Sequence, residues 1–507
     1  MTAVWGLARA TSVALVGMEA TPVEVEAWMG SGLPRTCMVG LPDAALTQAK
    51  ERVRAAVLSA GYSWPPQVLT INLLPATLPK TGSHYDLGIA AAVLSAQGLV
   101  DPASLRGLLL FGELGLDGRI HGVRGVFPAL LGASRLGITR AVVPANQVGE
   151  AGLVEGIEVR GAATLKDLVD VLRGGPGVEG VQSEAIRRGD GPSGDLSDVM
   201  GLPQAKWALE VAAAGRHHLY FHGPPGVGKT MLASCLPTIL PDLSANEAME
   251  VAAIHSLMGA GVDHLPVRPP FADPHHCASL ASLVGGGARV ARPGAVSLAH
   301  RGVLFLDEAP EFSTQALESL RTPLEAGEIV LGRSEASVRY PARFQLVLAA
   351  NPCPCGLAAT PRSVCHCSPM SIRRYAARIS GPILDRIDIR APIQPIRTSL
   401  LAKAGKEEAS RVVAGRVAEA RERQSRRLRD TPWTTNAELP GPYVRSLPPP
   451  DGVDVLERAV TAGLLSHRGV DKVIRVAWTI ADLMGADRVG ADHVRVALSM
   501  RQGEEIA

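Results

Sequence analysis

Residues 223–230 read Gly-Pro-Pro-Gly-Val-Gly-Lys-Thr, a complete G-x-x-x-x-G-K-T loop, and farther along the apolar run Val303-Leu304-Phe305-Leu306 ends in Asp307-Glu308. This ordered pair commits the middle of the chain to an α/β fold. A loop that wraps a phosphate chain points backbone N–H groups inward, which needs dihedrals and close approaches that a Cβ obstructs. Gly223, Pro224, Pro225, Gly226, Val227 and Gly228 form the cradle, Lys229 is the cation for the outer phosphates, and Thr230 is a hydroxyl ligand for Mg²⁺. Met231 continues into a helix whose N-terminal dipole faces the anion, and His218–His222 supplies the buried strand before the loop. The apolar run predicts a central strand that ends with Asp307 beside the phosphate loop, where it holds Mg²⁺, and with Glu308 placed to polarise an attacking water.

At 507 residues the chain has room for about three domains. A formal charge of +2 is too mild to imply a polyanionic partner, so affinity for nucleic acid has to come from local clusters. The N-terminus has no basic stretch followed by an apolar core, and no apolar run reaches the roughly 18–20 residues that span a bilayer, so a cytoplasmic protein without a membrane partner is expected. Four of the seven cysteines crowd into Cys353, Cys355, Cys365 and Cys367, whereas Cys37, Cys235 and Cys277 read as scattered buried thiols. The crowded set is compatible with a structural Zn²⁺, with free thiols or with a redox role; its C-x-C spacing is tighter than the usual knuckle, and His366 can replace one ligand.

A Gly-rich, charged stretch at 173–197 separates two patterned regions and reads as a linker. Before it lie a helix at 43–60, a strand at 68–73, a helix at 86–98, a strand at 107–114 and a helix at 126–136. After it a nucleotide module runs over 198–393 and a helical tail over 394–507. The tail opens with an arginine-rich helix, 411–429, which is either a solvated face or a phosphate contact. Amphipathic helices follow between Val453 and Met500.

Within the nucleotide module, the strand Phe344–Ala349 leads to Asn351, an amide placed to sense the γ-phosphate from the next strand. In Ile379–Asp388, Arg386 is the candidate for an arginine that reaches a neighbouring subunit's phosphate, with Arg378 and Arg374 behind it; a salt bridge to Asp385 or Asp388 is the alternative. Arg468 opens a helix and is preferred over Arg475 as a lid arginine. A glycine loop carries Arg289 and Arg292, and a hairpin over 327–340 displays Arg333, two basic protrusions that together fit the lining of a pore.

Taken together, Asp198-Val-Met-Gly-Leu-Pro-Gln-Ala-Lys206, the phosphate loop, Pro274-His-His276, the triple glycine 285–287, Pro293 through Glu308 and Asn351-Pro-Cys-Pro-Cys-Gly356 resemble the magnesium-chelatase-like branch of the AAA+ ATPases, and most closely the ComM (YifB) family. The resemblance implies an AAA+ P-loop NTPase core with a helical lid. By it Asn351 is sensor 1, Arg386 the finger and Arg468 sensor 2, and ATP and Mg²⁺ are the cofactors. It further implies a homo-hexameric ring moving on single-stranded or branched DNA, a helicase or branch-migration factor in the recombination of natural transformation. The runner-up is the ATPase subunit of a metal-insertion complex.

Residues 1–172 resemble the Lon-protease (ribosomal S5 domain 2-like) α/β domain through Leu78-Pro-Lys-Thr-Gly82, Gly88-Ile89 and Gly112 to Ile120. The serine and lysine of a Lon-type dyad align with Asp86 and Phe127, so the domain is expected to be nonproteolytic, and a shifted dyad of Ser83 and Lys80 is the weaker alternative.

Overall fold

In the computed structural model, residues 6–40, 44–78, 80–178, 194–287, 291–332, 337–358, 364–395 and 407–504 are described. The N-terminal part is built on a seven-stranded sheet in the order Arg35–Val39, Val68–Leu74, Glu19–Gly30, Leu7–Val16, Leu108–Leu110, Arg140–Pro144 and Glu158–Ala162. Its spine is a long antiparallel hairpin, with Leu7 opposite Trp28 and Val16 opposite Glu19. Helices Ala44–Ser59 and Asp86–Ala96 cover one face and Val126–Arg135 the other. Asp86–Ala96 is buried along its whole length, which its run of Leu, Ile, Ala and Val dictates.

The strand expected over 107–114 is two strands. Leu108–Leu110 stays in the sheet, then the Gly112 amide donates to His84 O at 3.0 Å and its carbonyl accepts from the Leu87 amide. That diversion sends Glu113–Leu114 off to pair with Ile120–His121. A second correction concerns the scattered cysteines: only Cys235 is buried, Cys37 is half-buried and Cys277 is exposed, held in a surface turn where its amide donates to His275 Nδ1 at 3.2 Å.

The second sheet has five parallel strands in the order Phe271–Ala272, Val303–Leu306, Gln345–Ala350, Leu219–His222 and Ile389–Pro392. Strands buried on both faces read as unbroken apolar runs, which is why Val303–Leu306 and Gln345–Ala350 are buried at every position. Phe221, Phe305 and Val347 face helices Pro203–Gly215 and Lys229–Ile239; Leu304, Leu306 and Leu346 face Phe312, Leu317 and Ile383. Helices Ser410–Leu428, Val453–Thr461, His467–Leu483 and Ala491–Gln502 form the C-terminal part and share the first of these cores.

The helix Ala245–Met258 joins the two parts. Ser244 and Glu247 cap its start reciprocally and Gly259 closes its end in the left-handed conformation. Ala252 and Ala253 pack into the N-terminal core beside Val13, Phe111 and Phe127, and the Phe127 and Gly125 amides donate to the Ser256 hydroxyl and carbonyl at 3.3 and 3.1 Å. Elsewhere on this helix Glu250 accepts from His300 Nε2 and Arg301 Nε, both at 2.9 Å, just ahead of the strand that carries Asp307. His300 Nδ1 accepts from the Arg343 amide, so Nε2 carries the proton.

Candidate functional site

Lys229 begins its helix directly after Gly228, which sits at φ +90°, a conformation that glycine adopts without the steric cost of a side chain. The turn aims the Lys229 side chain back into the loop, where Nζ donates to the carbonyls of Gly223 (2.7 Å) and Pro224 (2.8 Å) and to Asn351 Oδ1 (3.0 Å). The residue is 8% exposed. Burial lowers the pKa of the ammonium, and the negative charges of Asp307 and Glu308 oppose that shift.

Parallel neighbours end at a common edge, so the register of the sheet brings Gly223, Asn351 and Asp307 together. The strand carrying Asn351 lies between the other two rather than outside them. Thr230 Oγ1 donates to Asp307 Oδ2 at 2.6 Å, and the Glu308 amide donates to Asp307 Oδ1 at 2.8 Å. These hard oxygens suit a small divalent cation. Glu308 has φ +49°, a strained conformation for a residue with a Cβ, and its carboxylate is half exposed. His276 Nδ1 stands 3.6 Å from Glu308 Oε2, a neighbour that no spacing in the sequence announced.

Arg386 ends the short helix Gly381–Arg386, away from this cluster among the described contacts. Its guanidinium pairs with Glu325 and donates to Pro382 O. The anticipated partners are engaged elsewhere: Asp385 meets Arg501, and buried Asp388 meets Lys472 Nζ at 2.5 Å. Despite its burial, the cations around Asp388 hold its carboxyl well below the usual range. Arg378 binds Glu311 and Pro310 O, and Arg374 is exposed. Arg468 lies exposed at the start of His467–Leu483, whereas Arg475 is partly buried farther along that helix. Arg289 and Arg333 lie outside the described residues.

Four residues of the arginine-rich helix are tied into the fold, while Arg411, Arg426 and Arg429 stay exposed. Arg416 forks onto Glu210 at 2.6 and 2.8 Å, Arg421 donates to Ala213 O, Arg423 to Asp482 O, and Arg427 to both oxygens of Asp482. In the N-terminal part Asp86 is fully buried and held by Arg52 through two 3.0 Å bonds; burial nevertheless raises its pKa to about 6. Phe127 is core. Ser83 donates to Glu113 Oε2 at 2.6 Å, while Lys80 Nζ is surrounded by the carbonyls of Gly40, Pro75 and Leu78, so the two do not meet as a dyad among the described contacts. Cys353, Cys355, Cys365 and Cys367 converge, their ligand atoms all within 4.8 Å of one another.

Three family models cover most of the chain: magnesium chelatase subunit ChlI over 195–401, the subunit ChlI of Mg-chelatase over 24–147, and the ChlI C-terminal model over 407–501. An uncharacterised protein of Mycobacterium tuberculosis (strain ATCC 25618 / H37Rv) is 53% identical over 98% of this chain and 99% of its own. YifB of Escherichia coli (strain K12) is 42% identical over 96% of each chain, and the competence protein ComM of Haemophilus influenzae (strain ATCC 51907 / DSM 11121 / KW20 / Rd) is 40% identical over 98% of this chain and 97% of its own. With this identity sustained from end to end, the chain belongs to the ComM/YifB family of magnesium-chelatase-like proteins.

Proposed function

We propose that this protein is an AAA+ ATPase that works as a DNA motor, assembling a homo-hexameric ring and using ATP hydrolysis to drive helicase action or branch migration during the recombination step of natural transformation. The observation that carries the ATPase half is the convergence of Lys229, Asn351, Thr230, Asp307 and Glu308 at one sheet edge. The DNA half is supported by the near full-length likeness to a protein named for competence.

Residues 223–231 hold the nucleotide in this reading. Lys229 moves from loop carbonyls to phosphate oxygens, which are charged and therefore stronger acceptors. Thr230 and Asp307 hold Mg²⁺, which supplies charge neutralisation when bound. Glu308 orients and polarises the attacking water, and Asn351 reports the γ-phosphate to Lys229 through their shared hydrogen bond. Arg386 leaves Glu325 for the phosphate of the next subunit, and Arg468 closes over the nucleotide. Most of the rate then comes from positioning and charge stabilisation. The N-terminal part is read as a Lon-like domain that lacks the proteolytic dyad and binds DNA or stabilises the ring.

The test is the ATPase rate with and without a branched DNA junction, following strand displacement in the same tube, with Lys229→Ala as the blank. Stimulated hydrolysis with junction movement, both lost in the variant, is the expected result. No stimulation and no DNA binding across a range of salt would overturn the motor reading and favour an ATPase subunit of a metal-insertion complex.

A further inference from the structure

Asn351 is separated by Pro352 alone from Cys353, the first of the four converging cysteines. Cys353 Sγ lies 3.3 Å from Cys355 Sγ and 3.7 Å from Cys365 Sγ, and Cys355 and Cys365 are 3.6 Å apart. A tetrahedral Zn²⁺ with Zn–S bonds of about 2.3 Å sets its sulfurs about 3.8 Å apart, close to this spacing. Cys353 is fully buried, and its sulfur accepts the Ala358 amide at 3.3 Å, the kind of N–H···S bond that offsets charge on a metal-bound thiolate. An all-sulfur set selects a soft or borderline ion over Mg²⁺.

The same turn touches the phosphate loop. Gly356, at φ +78°, packs so closely on Pro225 that an added Cβ would lie 2.6 Å from Pro225 Cδ and 2.9 Å from Cγ. Its amide closes the turn onto Cys353 O at 2.9 Å. One short segment therefore holds a nucleotide-facing amide, two sulfur ligands and the residue that abuts the loop.

We propose that Cys353, Cys355, Cys365 and Cys367 bind one Zn²⁺, and that this ion clamps the turn 351–356 so that Asn351 and Pro225 are held in the nucleotide-binding arrangement, making ATP affinity depend on zinc loading. The metal site stands on its own geometry. The clamp rests on the ATP-site reading given above.

The experiment uses the full chain purified without chelator. Zinc is counted by mass spectrometry, affinity for a fluorescent ATP analogue is measured before stripping, after stripping under reducing conditions and after zinc return, and thermal melting checks the fold. Wild type and Cys37→Ser are expected to carry one zinc per chain and Cys355→Ser/Cys365→Ser none. Stripping and the double variant should weaken analogue binding at least tenfold, with zinc restoring the stripped wild type. Cobalt substitution should give the visible bands of a tetrahedral thiolate centre. Gly356→Ala leaves all four ligands in place, so it should keep its zinc and still bind the analogue several-fold more weakly; it decides the matter if the stripped chain unfolds. A wild-type chain with no zinc and no tight uptake of added zinc overturns the site. Unchanged affinity after stripping, or in Gly356→Ala, overturns the clamp. A zinc-loaded chain that binds no ATP analogue overturns the ATPase reading and the clamp with it, while the metal count still decides the site.

Discussion

Replacing Arg427 with Met tests whether the arginine-rich helix serves the fold or the phosphates of DNA. The guanidinium donates to Asp482 Oδ1 at 2.6 Å, Asp482 Oδ2 at 2.8 Å and Asn436 Oδ1 at 2.8 Å, and it lies 4.5 Å over the Trp478 ring. The Asp482 side chain is 1% exposed. In the variant its carboxylate keeps the Asn436 amide at 2.9 Å but loses its countercharge. Leaving a buried charge unpaired in this way costs about 3–5 kcal/mol, and loss of the cation–π contact adds about 0.5–2 kcal/mol. Because Met restores some apolar packing and Arg427 is 23% exposed, we expect about 3–4 kcal/mol of destabilisation, a large part of a domain's typical ~5–15 kcal/mol. The assay is denaturant unfolding of the full chain followed by tryptophan fluorescence, with Trp433 and Trp478 as local reporters. DNA binding measured against salt should keep the wild-type slope at temperatures where the variant is folded. A loss below about 1 kcal/mol, together with a salt slope reduced by about one, would refute the structural role and assign the residue to phosphate contact.

Under the proposed mechanism Glu308→Gln leaves the 223–230 loop intact and removes the carboxylate assigned to polarise water, so ATP turnover should fall about 10²–10⁴-fold with nucleotide affinity retained; lost affinity in a binding titration would show that Glu308 acts in the ground state. Burial holds His217 and His218 near pKa 3 and 4, below their usual 6.5, so the unfolded chain binds protons that the folded chain refuses. Stability is therefore complete above pH 6.5 and falls toward pH 4 by about 1.4 kcal/mol per pH unit for each residue. A flat plot of unfolding midpoint against pH over that range would contradict neutral burial. In the N-terminal part His84, near 4, acts in the same direction, but Asp86, raised to about 6, gains its proton first in the folded state and offsets it, so that part should show the shallower profile. Arg52→Met should destabilise the N-terminal part by about 3 kcal/mol through the buried Asp86 it abandons, seen as an earlier first melting step.

The convergence of Lys229, Thr230 and Asp307 at one sheet edge was legible because a glycine loop and an acid-tipped apolar run are local signals. Strand order was not: nothing local to Val303–Leu306 or Gln345–Ala350 says which of them pairs with Leu219–His222, since both are buried on two faces and equally apolar. Arg386 illustrates a second limit. Two acids sit within two residues of it, yet its partner is Glu325, 61 residues away, because Asp385 on the helix meets Arg501 and Asp388 beyond its end meets Lys472. For Arg416, Arg421, Arg423 and Arg427 two readings stayed open for the same reason, as acceptors on Glu210, Ala213 and Asp482 come from helices distant in sequence. The Leu7–Gly30 hairpin carried no helix-like periodicity or motif to draw attention to it, although it is the longest strand pairing among the described residues.

The helix Ala245–Met258 makes the N-terminal part more than cargo on a tether. It is a lever with its fulcrum in one core and its handle, Glu250, gripping the entrance of the strand that delivers Asp307. Any displacement of that strand would pull on a rod whose other side is seated against Val126 and Phe127, because densely packed interiors transmit displacements rather than absorb them. Removing the N-terminal part would strip Ala252, Ala253 and Val262 of their cover, so a fragment that starts at the nucleotide module would lose the anchor that seats this helix beside Glu250 and His300.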